Sequence, residues 1–245
     1  MEETRLQVHQ VRLLKGITKP NEEFENMREA DKIEGLGWRL VVLSIVSAIF
    51  AGLSVYFIQA LGLADEMNKR FEISGSQMSE SNVELGQTFA LASGVFGGLV
   101  GPVITMVIGA LIFLIFFSDI GFKKLFAIEL YLQVIGLINT IVALILILIF
   151  QTYSGTFLNL GAITQLLTDD IFINSFFGGI SIFLIWKLYV QINAYAKIST
   201  KSPAFIVWTP IILNLVWLLV LAGFGVLGHQ MMEQLEQMPQ MNQKS

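Results

Sequence analysis

The chain has 245 residues, of which 54% are hydrophobic and 14% are charged, whereas soluble domains average about 25% charged residues. The formal net charge is only −4, and the 15 Lys and Arg residues form no basic patch, which excludes nucleic acid as a partner. Because there is no cysteine, disulfides, thiolate catalysis and cysteine-bound metals are excluded as well.

The first 38 residues are predicted to form a cytoplasmic segment with two short amphipathic helices. One helix is predicted over Thr4–Lys15, and a second follows with Asn21 as its N-cap. Phe24 and Met27 share one face of the second helix. This segment is either a solvated tether or a face that binds a partner. We expect no cleavable signal peptide, because the segment contains no apolar core of the kind that such a signal needs.

Five long apolar runs follow, and each is long enough, at about 20 residues, to cross a bilayer as a helix. They lack the alternation of barrel strands. The runs are Leu40–Leu61, Phe96–Phe117, Leu130–Phe150, Ile171–Val190 and Phe205–Leu227. The sequence therefore predicts an all-α integral membrane protein with five transmembrane helices. Its parts are the N-terminal segment (1–38), the transmembrane domain (39–228) and a flexible external tail (229–245).

Lys and Arg are distributed unevenly among the segments that flank the runs. Taken alternately, these segments place 12 of the 15 basic residues on one side of the membrane. Cytoplasmic loops are enriched in Lys and Arg, so we predict a multi-pass protein of the cell membrane with its N-terminus in the cytoplasm and its C-terminus outside.

Glycines cluster at the start of the second run and form two overlapping small-xxx-small pairs. They are Gly94, Gly97, Gly98 and Gly101. This spacing removes side chains from a helix face, so that another backbone can approach closely in lipid. Helix packing within the bundle is the favoured interpretation, and dimerisation or a substrate path are the alternatives. Pro102 follows directly and is expected to kink the helix.

The third run carries polar residues on one helical face. They are Glu129, Gln133, Gly136 and Thr140. A carboxylate inside a membrane is costly and usually faces the bundle or a water-filled cavity with a partner. Glu129 either pairs with Lys187 or Lys123 in a structural role, or carries protons or a cation. The structural role is favoured, because one carboxylate without a second is a poor relay.

The last two runs contain few polar residues. Asp169 and Asp170 precede the fourth run, and a charge at a helix N-terminus is favoured there over a divalent-cation site. Asn214 in the fifth run is predicted to form an interhelical hydrogen bond. No residue pair suited to intramembrane proteolysis and no phosphate-binding loop occurs. We therefore expect no catalytic residue, no cofactor and no bound metal.

Several landmarks follow one another in a recognisable order. They are Pro20-x-x-x-Phe24, the glycine-rich second run, the hairpin Gly121-Phe-Lys-Lys-Leu-Phe126, the apolar third run, and the passage from Trp186 to Lys201-Ser-Pro-Ala204. Together they resemble the Yip family, the Ypt/Rab-interacting-protein membrane domain, in its bacterial branch. The similarity covers roughly Ile17–Gly228. One departure is Ile135-Gly136, where the family pattern has a proline.

The resemblance implies a non-enzymatic five-span protein that acts as a membrane accessory or scaffold protein. Eukaryotic members act in vesicle traffic with small GTPases, and some bacterial members, including the YknW-like proteins that this chain most resembles, accompany ABC-type exporters. The expected partners are the lipid bilayer and another membrane protein, with an ABC-type exporter suspected; a homo-oligomer is left open. The alternative is a small permease or ion-coupled transporter that uses the polar face of the third run and Asn214.

Overall fold

The structure, a computed structural model, describes residues 7–63, 80–151 and 158–241, and the side chains within 7–63, 86–151 and 158–231. The strands in these residues are β1 (Val8–Gln10) and β2 (Lys32–Glu34). The helices are α1 (Leu13–Thr18), α2 (Pro20–Glu29), α3 (Leu36–Ala60), α4 (Glu80–Phe116), α5 (Phe122–Phe150), α6 (Gly161–Thr164), α7 (Ile171–Gly178), α8 (Ile182–Ile198) and α9 (Pro203–Met241).

Within the described residues, four helices are long and apolar enough to cross a bilayer. They are α3, α4 from Gly86 onward, α5, and α9 as far as Met231. They correspond to the first, second, third and fifth apolar runs of the sequence, and α3, α4 and α5 all pack against one another. The predicted class, an all-α membrane protein, is therefore confirmed.

The predicted fourth span, Ile171–Val190, is two helices rather than one. Residues 179–181 separate α7 from α8, which has only 17 residues. Ser181 caps the second helix, because its hydroxyl accepts a hydrogen bond from the Leu184 N–H at 3.2 Å. Gly and Ser favour helix ends over helix interiors, but they do not interrupt an apolar run. Hydropathy therefore predicted a continuous span where the helix breaks.

The backbone groups freed at this break pair with an earlier stretch of the chain. The Ile182 N–H donates to the Leu158 carbonyl at 3.1 Å, and the Leu160 N–H donates to the Ile180 carbonyl at 3.0 Å. The break packs against Leu218, close to the middle of the membrane-length part of α9. Unpaired backbone groups are costly in lipid, and this pairing gives hydrogen-bond partners to the groups that the helix break leaves free.

The residues before α3 form a small unit, here called the N-terminal lobe (residues 7–34). Its strands β1 and β2 pair in parallel, with Val8 opposite Lys32. The predicted helix over Thr4–Lys15 is wrong in its described part, because residues 8–10 are a strand and the helix begins only at Leu13. The second helix begins at Pro20 rather than after an Asn21 cap. The fixed φ of proline suits the first position of a helix.

The N-terminal lobe packs against α5 and α8. Phe24 and Met27 are fully buried, and the Phe24 ring meets the Tyr131 ring edge to face, with their centroids 5.3 Å apart. Gly16 lies so close to the same ring that an added Cβ would collide with it. The chain itself therefore occupies the apolar face that the sequence assigned to a solvated tether or to a partner.

The ends of the membrane-length helices also differ from the apolar runs. The second of them, α4, begins at Glu80, well before the second apolar run begins at Phe96. The last helix, α9, continues to Met241, where the sequence predicted a flexible tail from His229 onward.

Candidate functional site

Polar side chains from α5, α8 and α9 meet inside the bundle and form what is here called the polar cluster. Its members are Glu129, Lys187, Gln191, Tyr195 and Asn214. The three residues from α8 are spaced four apart, which places them on one helical face. The structure thus brings together three of the polar residues that the sequence singled out, namely Glu129, Lys187 and Asn214.

Gln191 is the centre of the polar cluster. It is 2% exposed, and its side-chain oxygen accepts a hydrogen bond from Asn214 Nδ2 at 3.3 Å. The same amide nitrogen also donates to the Pro210 carbonyl at 2.8 Å. The interhelical hydrogen bond predicted for Asn214 is therefore present. The Gln191 amide lies beside both Glu129 and Tyr195.

Glu129 faces the bundle rather than lipid. It is 7% exposed, and a Cβ on Gly109 of α4 would lie only 2.8 Å from its carboxylate. Among the described residues, Glu129 Oε1 has no hydrogen-bond partner. The neighbouring cationic side chain of Glu129 is Lys187. The two do not approach closely enough to count among the ion pairs of the described residues. The other candidate partner, Lys123, is exposed. The structure therefore places Lys187 near Glu129 but does not form the ion pair that the sequence predicted.

The rest of the polar face of α5 also turns toward α8. Gln133 Oε1 and Lys187 Nζ lie 3.8 Å and 3.4 Å from the position that a Cβ on Gly136 would take. Thr140 does not join the polar cluster, because its hydroxyl donates back to the Gly136 carbonyl at 3.2 Å. Gly136 therefore makes room for the lysine side chain between the two helices.

Sequence reasoning missed Gln191 and Tyr195. The apolar run was taken to end at Val190, so both residues were placed in the loop that follows the fourth span. Tyr195 is fully buried and stacks on Phe117, with ring centroids 4.2 Å apart, while its hydroxyl has no partner among the described residues. The available signal was the four-residue spacing that both residues share with Lys187.

The four glycines of α4 divide into two faces. Gly94 and Gly98 lie against α3, and a Cβ on Gly98 would be 2.7 Å from the Ala48 Cα. A Cβ on Gly97 or Gly101 would meet no other element within 4 Å in the described part of the chain. The predicted packing within the bundle is therefore found for the first pair, whereas the second pair faces away from the described part of the chain.

A second polar centre fastens the N-terminal lobe to α5. Glu23 is 0% exposed, and its Oε1 accepts hydrogen bonds from the Tyr131 hydroxyl at 2.8 Å and from the Arg12 N–H at 2.9 Å. His9 Nε2 lies 3.1 Å from the same oxygen. Burial lowers the pKa of His9 below 6.5, although Glu23 acts in the opposite direction.

Further contacts tie the lobe to the ends of the membrane helices. The Trp186 Nε1–H donates to the Ile17 carbonyl at 3.2 Å, Lys124 Nζ donates to the Arg28 carbonyl at 2.9 Å, and Lys197 Nζ lies 3.2 Å from Glu25 Oε2. The hairpin residue Asp119 joins the same end, because it accepts hydrogen bonds from Ser199 and Thr200, both at 2.7 Å. Burial alone would raise the pKa of Asp119, but the donors of Thr200 and Ser199 outweigh it and lower the pKa.

Asp170 acts as the cap of α7. Its Oδ1 accepts a hydrogen bond from the Ile173 N–H at 2.8 Å, which agrees with the helix-terminal role that the sequence favoured for the pair Asp169 and Asp170. In the part of the chain that the structure describes, no group of three His, Asp or Glu side chains is placed to hold a metal ion.

Comparison with known proteins gives one family. The family model of the Yip1 domain matches residues 15–231, a stretch that includes the polar cluster, both glycine pairs and most of the N-terminal lobe. No curated protein and no solved structure gives a significant match.

Proposed function

Because the chain belongs to the Yip1 domain family, we propose that it is a non-enzymatic membrane accessory or scaffold protein that assembles with another membrane complex. The partner implied by the sequence resemblance is an ABC-type exporter. The proposed location is a bacterial cell membrane, with the N-terminal lobe in the cytoplasm and the C-terminus outside.

The observation that carries this proposal is the unfilled glycine face of α4. Gly98 already contacts the α3 backbone, so the chain uses one of its two small-residue faces for its own fold. Gly97 and Gly101 form the other face, with open space around them. Small residues at this spacing let helices approach closely and associate in lipid. A helix of a partner membrane protein fits this face.

Substitutions on the two faces test the proposal. Gly97→Leu and Gly101→Leu are expected to leave the protein monodisperse in detergent but to remove the partner complex. Gly98→Leu should prevent folding, because the leucine would collide with the α3 backbone. Leu99→Ala, at an exposed position, serves as the matched control and should retain both fold and partner.

The measurement is affinity purification from native membranes followed by mass spectrometry, with size-exclusion chromatography of each variant. If Gly97→Leu and Gly101→Leu retain the same membrane partners as the wild-type protein, then the open face of α4 is not where the complex forms, and the proposal loses its support.

One observation favours the alternative, a small permease. Glu129 Oε1 is buried without a hydrogen-bond partner among the described residues, and a buried carboxylate can accept a proton or a cation. In proteoliposomes with a trapped pH-sensitive dye, Glu129→Gln should then abolish proton flux. An accessory protein should show no such flux, and the same variant should keep its partner complex.

A further inference from the structure

A polar cleft of about 590 Å³ opens in the N-terminal lobe, away from the polar cluster. One wall consists of residues 7–10, which include all of β1. The opposite wall consists of Glu23, Asn26 and Ala30, whose spacing of three and four residues places them on one side of α2 and its C-cap. Arg12 and Glu29 complete the lining.

The strand wall of the cleft includes the outer edge of β1, which pairs with no further strand in the described residues. The sheet has two strands, and the Gln7 carbonyl accepts hydrogen bonds from Asp31 and Lys32, so Gln7 faces β2. Backbone groups of successive strand residues point alternately to the two edges, which places those of Val8 and Gln10 on the outer edge. Because the side chains of a strand alternate between its two faces, the side chains of residues 7–10 cannot all point into one cleft. The backbone of this stretch must therefore form part of the lining.

The base of the cleft contains a buried polar atom without a hydrogen-bond partner among the described residues. It is Glu23 Oε2, in a side chain that is 0% exposed; His9 Nε2 lies 3.1 Å from the other oxygen of the same carboxylate. A buried carboxylate oxygen without a donor is unfavourable, and a cationic donor satisfies it best. Glu29 adds a second carboxylate to the lining, whereas Arg12 disfavours a second cation. The charges therefore suit a ligand with a single basic group.

We propose that this cleft binds an extended peptide segment of a partner protein, which adds as a strand to the outer edge of β1 and places one Lys or Arg side chain against Glu23. Main-chain hydrogen bonds to a strand edge supply affinity in such complexes, and the side-chain pocket supplies specificity. The inference rests on the proposed accessory function, because the partner protein is the source of the peptide. The cleft would then be a second contact surface outside the membrane, beside the glycine face of α4 within it.

Defined peptides test the cleft without a natural partner. The full-length protein in detergent is presented with acetylated, amidated heptapeptides whose central residue is Lys, Arg, norleucine or Glu, with the other positions randomised among Val, Thr and Ile. The Lys and Arg sets are expected to bind at least tenfold more tightly than the norleucine set, and the Glu set least of all. N-methylation of alternate backbone nitrogens in a bound peptide should remove binding.

Variants of the cleft separate strand addition from side-chain recognition. Val8→Pro removes an outer-edge N–H and should weaken every set at least tenfold, whereas Val8→Thr should bind like the wild-type protein. Glu23→Gln should erase the preference for Lys and Arg. If Glu23→Gln fails to fold, Asn26→Trp provides the second test, because it fills the cleft from an exposed position and leaves the hydrogen bonds of Glu23 in place.

The proposal is overturned if no set binds the wild-type protein at millimolar concentration, if the four sets bind equally, or if both Val8→Pro and Asn26→Trp bind like the wild type. These results are distinguishable from a failure of the proposed function. Gly97→Leu is expected to remove the partner complex and to leave peptide binding unchanged. The cleft and the glycine face of α4 are therefore tested independently.

Discussion

Gly109 of α4 provides the space in which the Glu129 carboxylate lies. A methyl group there would approach the carboxyl group to 2.8 Å, so Gly109→Ala must displace a buried polar side chain. We expect a loss of stability of about 1–3 kcal/mol, the usual range for overpacking a core. The matched control is Gly97→Ala on the same helix, where the added methyl group would meet no neighbouring element of the described chain within 4 Å.

Thermal unfolding in detergent measures both variants. Gly97→Ala should be neutral or stabilising by roughly 0.5–1 kcal/mol, because alanine is a better helix former than glycine. Equal effects of the two substitutions would mean that Glu129 is not confined by α4.

His9 is expected to make the attachment of the N-terminal lobe depend on pH. Its pKa in the folded protein is below the ordinary 6.5, because burial disfavours the charged ring. Folding therefore favours the neutral ring. This contribution to stability is complete above about pH 6.5 and is lost as the pH falls below that value. The charged groups around the ring are Glu23, Arg12 and Arg39.

The absence of cysteine from the natural chain makes a distance measurement straightforward. Spin labels on Asn21→Cys and Ala204→Cys report the separation of lobe and bundle by pulsed electron paramagnetic resonance. The distance distribution should broaden between pH 7.5 and pH 5.5. In the background of His9→Gln, which cannot titrate, the distribution should stay the same across this range; broadening there would assign the pH dependence to another group.

Some of these residues are visible in the sequence and others are not. Glu129, Lys187 and Asn214 stand out, because a charge or an amide within an apolar run needs a partner. Glu23 and His9 are ordinary residues of a polar segment, and only the docking of that segment on Tyr131 makes them buried. Tertiary contacts that join distant parts of the chain leave no local pattern to read.

At the scale of helices, the interruption between α7 and α8 depends on close packing of glycines. A Cβ on Gly161 would lie 2.9 Å from the Gly178 Cα, whereas a Cβ on Gly178 itself would meet nothing within 4 Å. Gly161→Ala is therefore expected to separate backbone segments and to destabilise the protein by about 1–3 kcal/mol. Gly178→Ala should have little effect.

Hydrogen exchange around residues 158–160 and 180–182 reads out this region directly, since those residues pair across the break. Faster exchange is expected in Gly161→Ala and not in Gly178→Ala. Unchanged exchange in both variants would show that the pairing does not depend on the glycine contact.

Apolar run length predicted the four long helices but not the interrupted one. A run of about 20 apolar residues must be helical in lipid, and this rule locates α3, α4, α5 and α9. The rule carries no information about where Gly178-Gly179-Ile180-Ser181 ends one helix and caps the next. That outcome depends on a second segment supplying hydrogen bonds, which hydropathy does not record.

At the scale of the whole molecule, the orientation predicted from Lys and Arg can be tested at sites that the structure locates. The N-terminal lobe, Asp119 and Ser199 lie at one end of the bundle, joined by hydrogen bonds and ion pairs. Asn21→Cys and Ala204→Cys should resist an impermeant thiol reagent in intact cells, whereas Asp169→Cys should react. If Asn21→Cys and Asp169→Cys label alike, the alternation of sides along the chain is wrong.

The attachment of the lobe also has a consequence for the order in which the protein is made. Its partners Tyr131 and Trp186 are 108 and 169 residues from the lobe residues that they bond. At about 5–20 residues per second, a ribosome that has finished the lobe completes α8 about 10–30 s later. Until then Phe24 and Met27 lack the surface that buries them. A chain that stalls during insertion therefore displays these two side chains to water beside the membrane, where chaperones and proteases can distinguish it from a finished one.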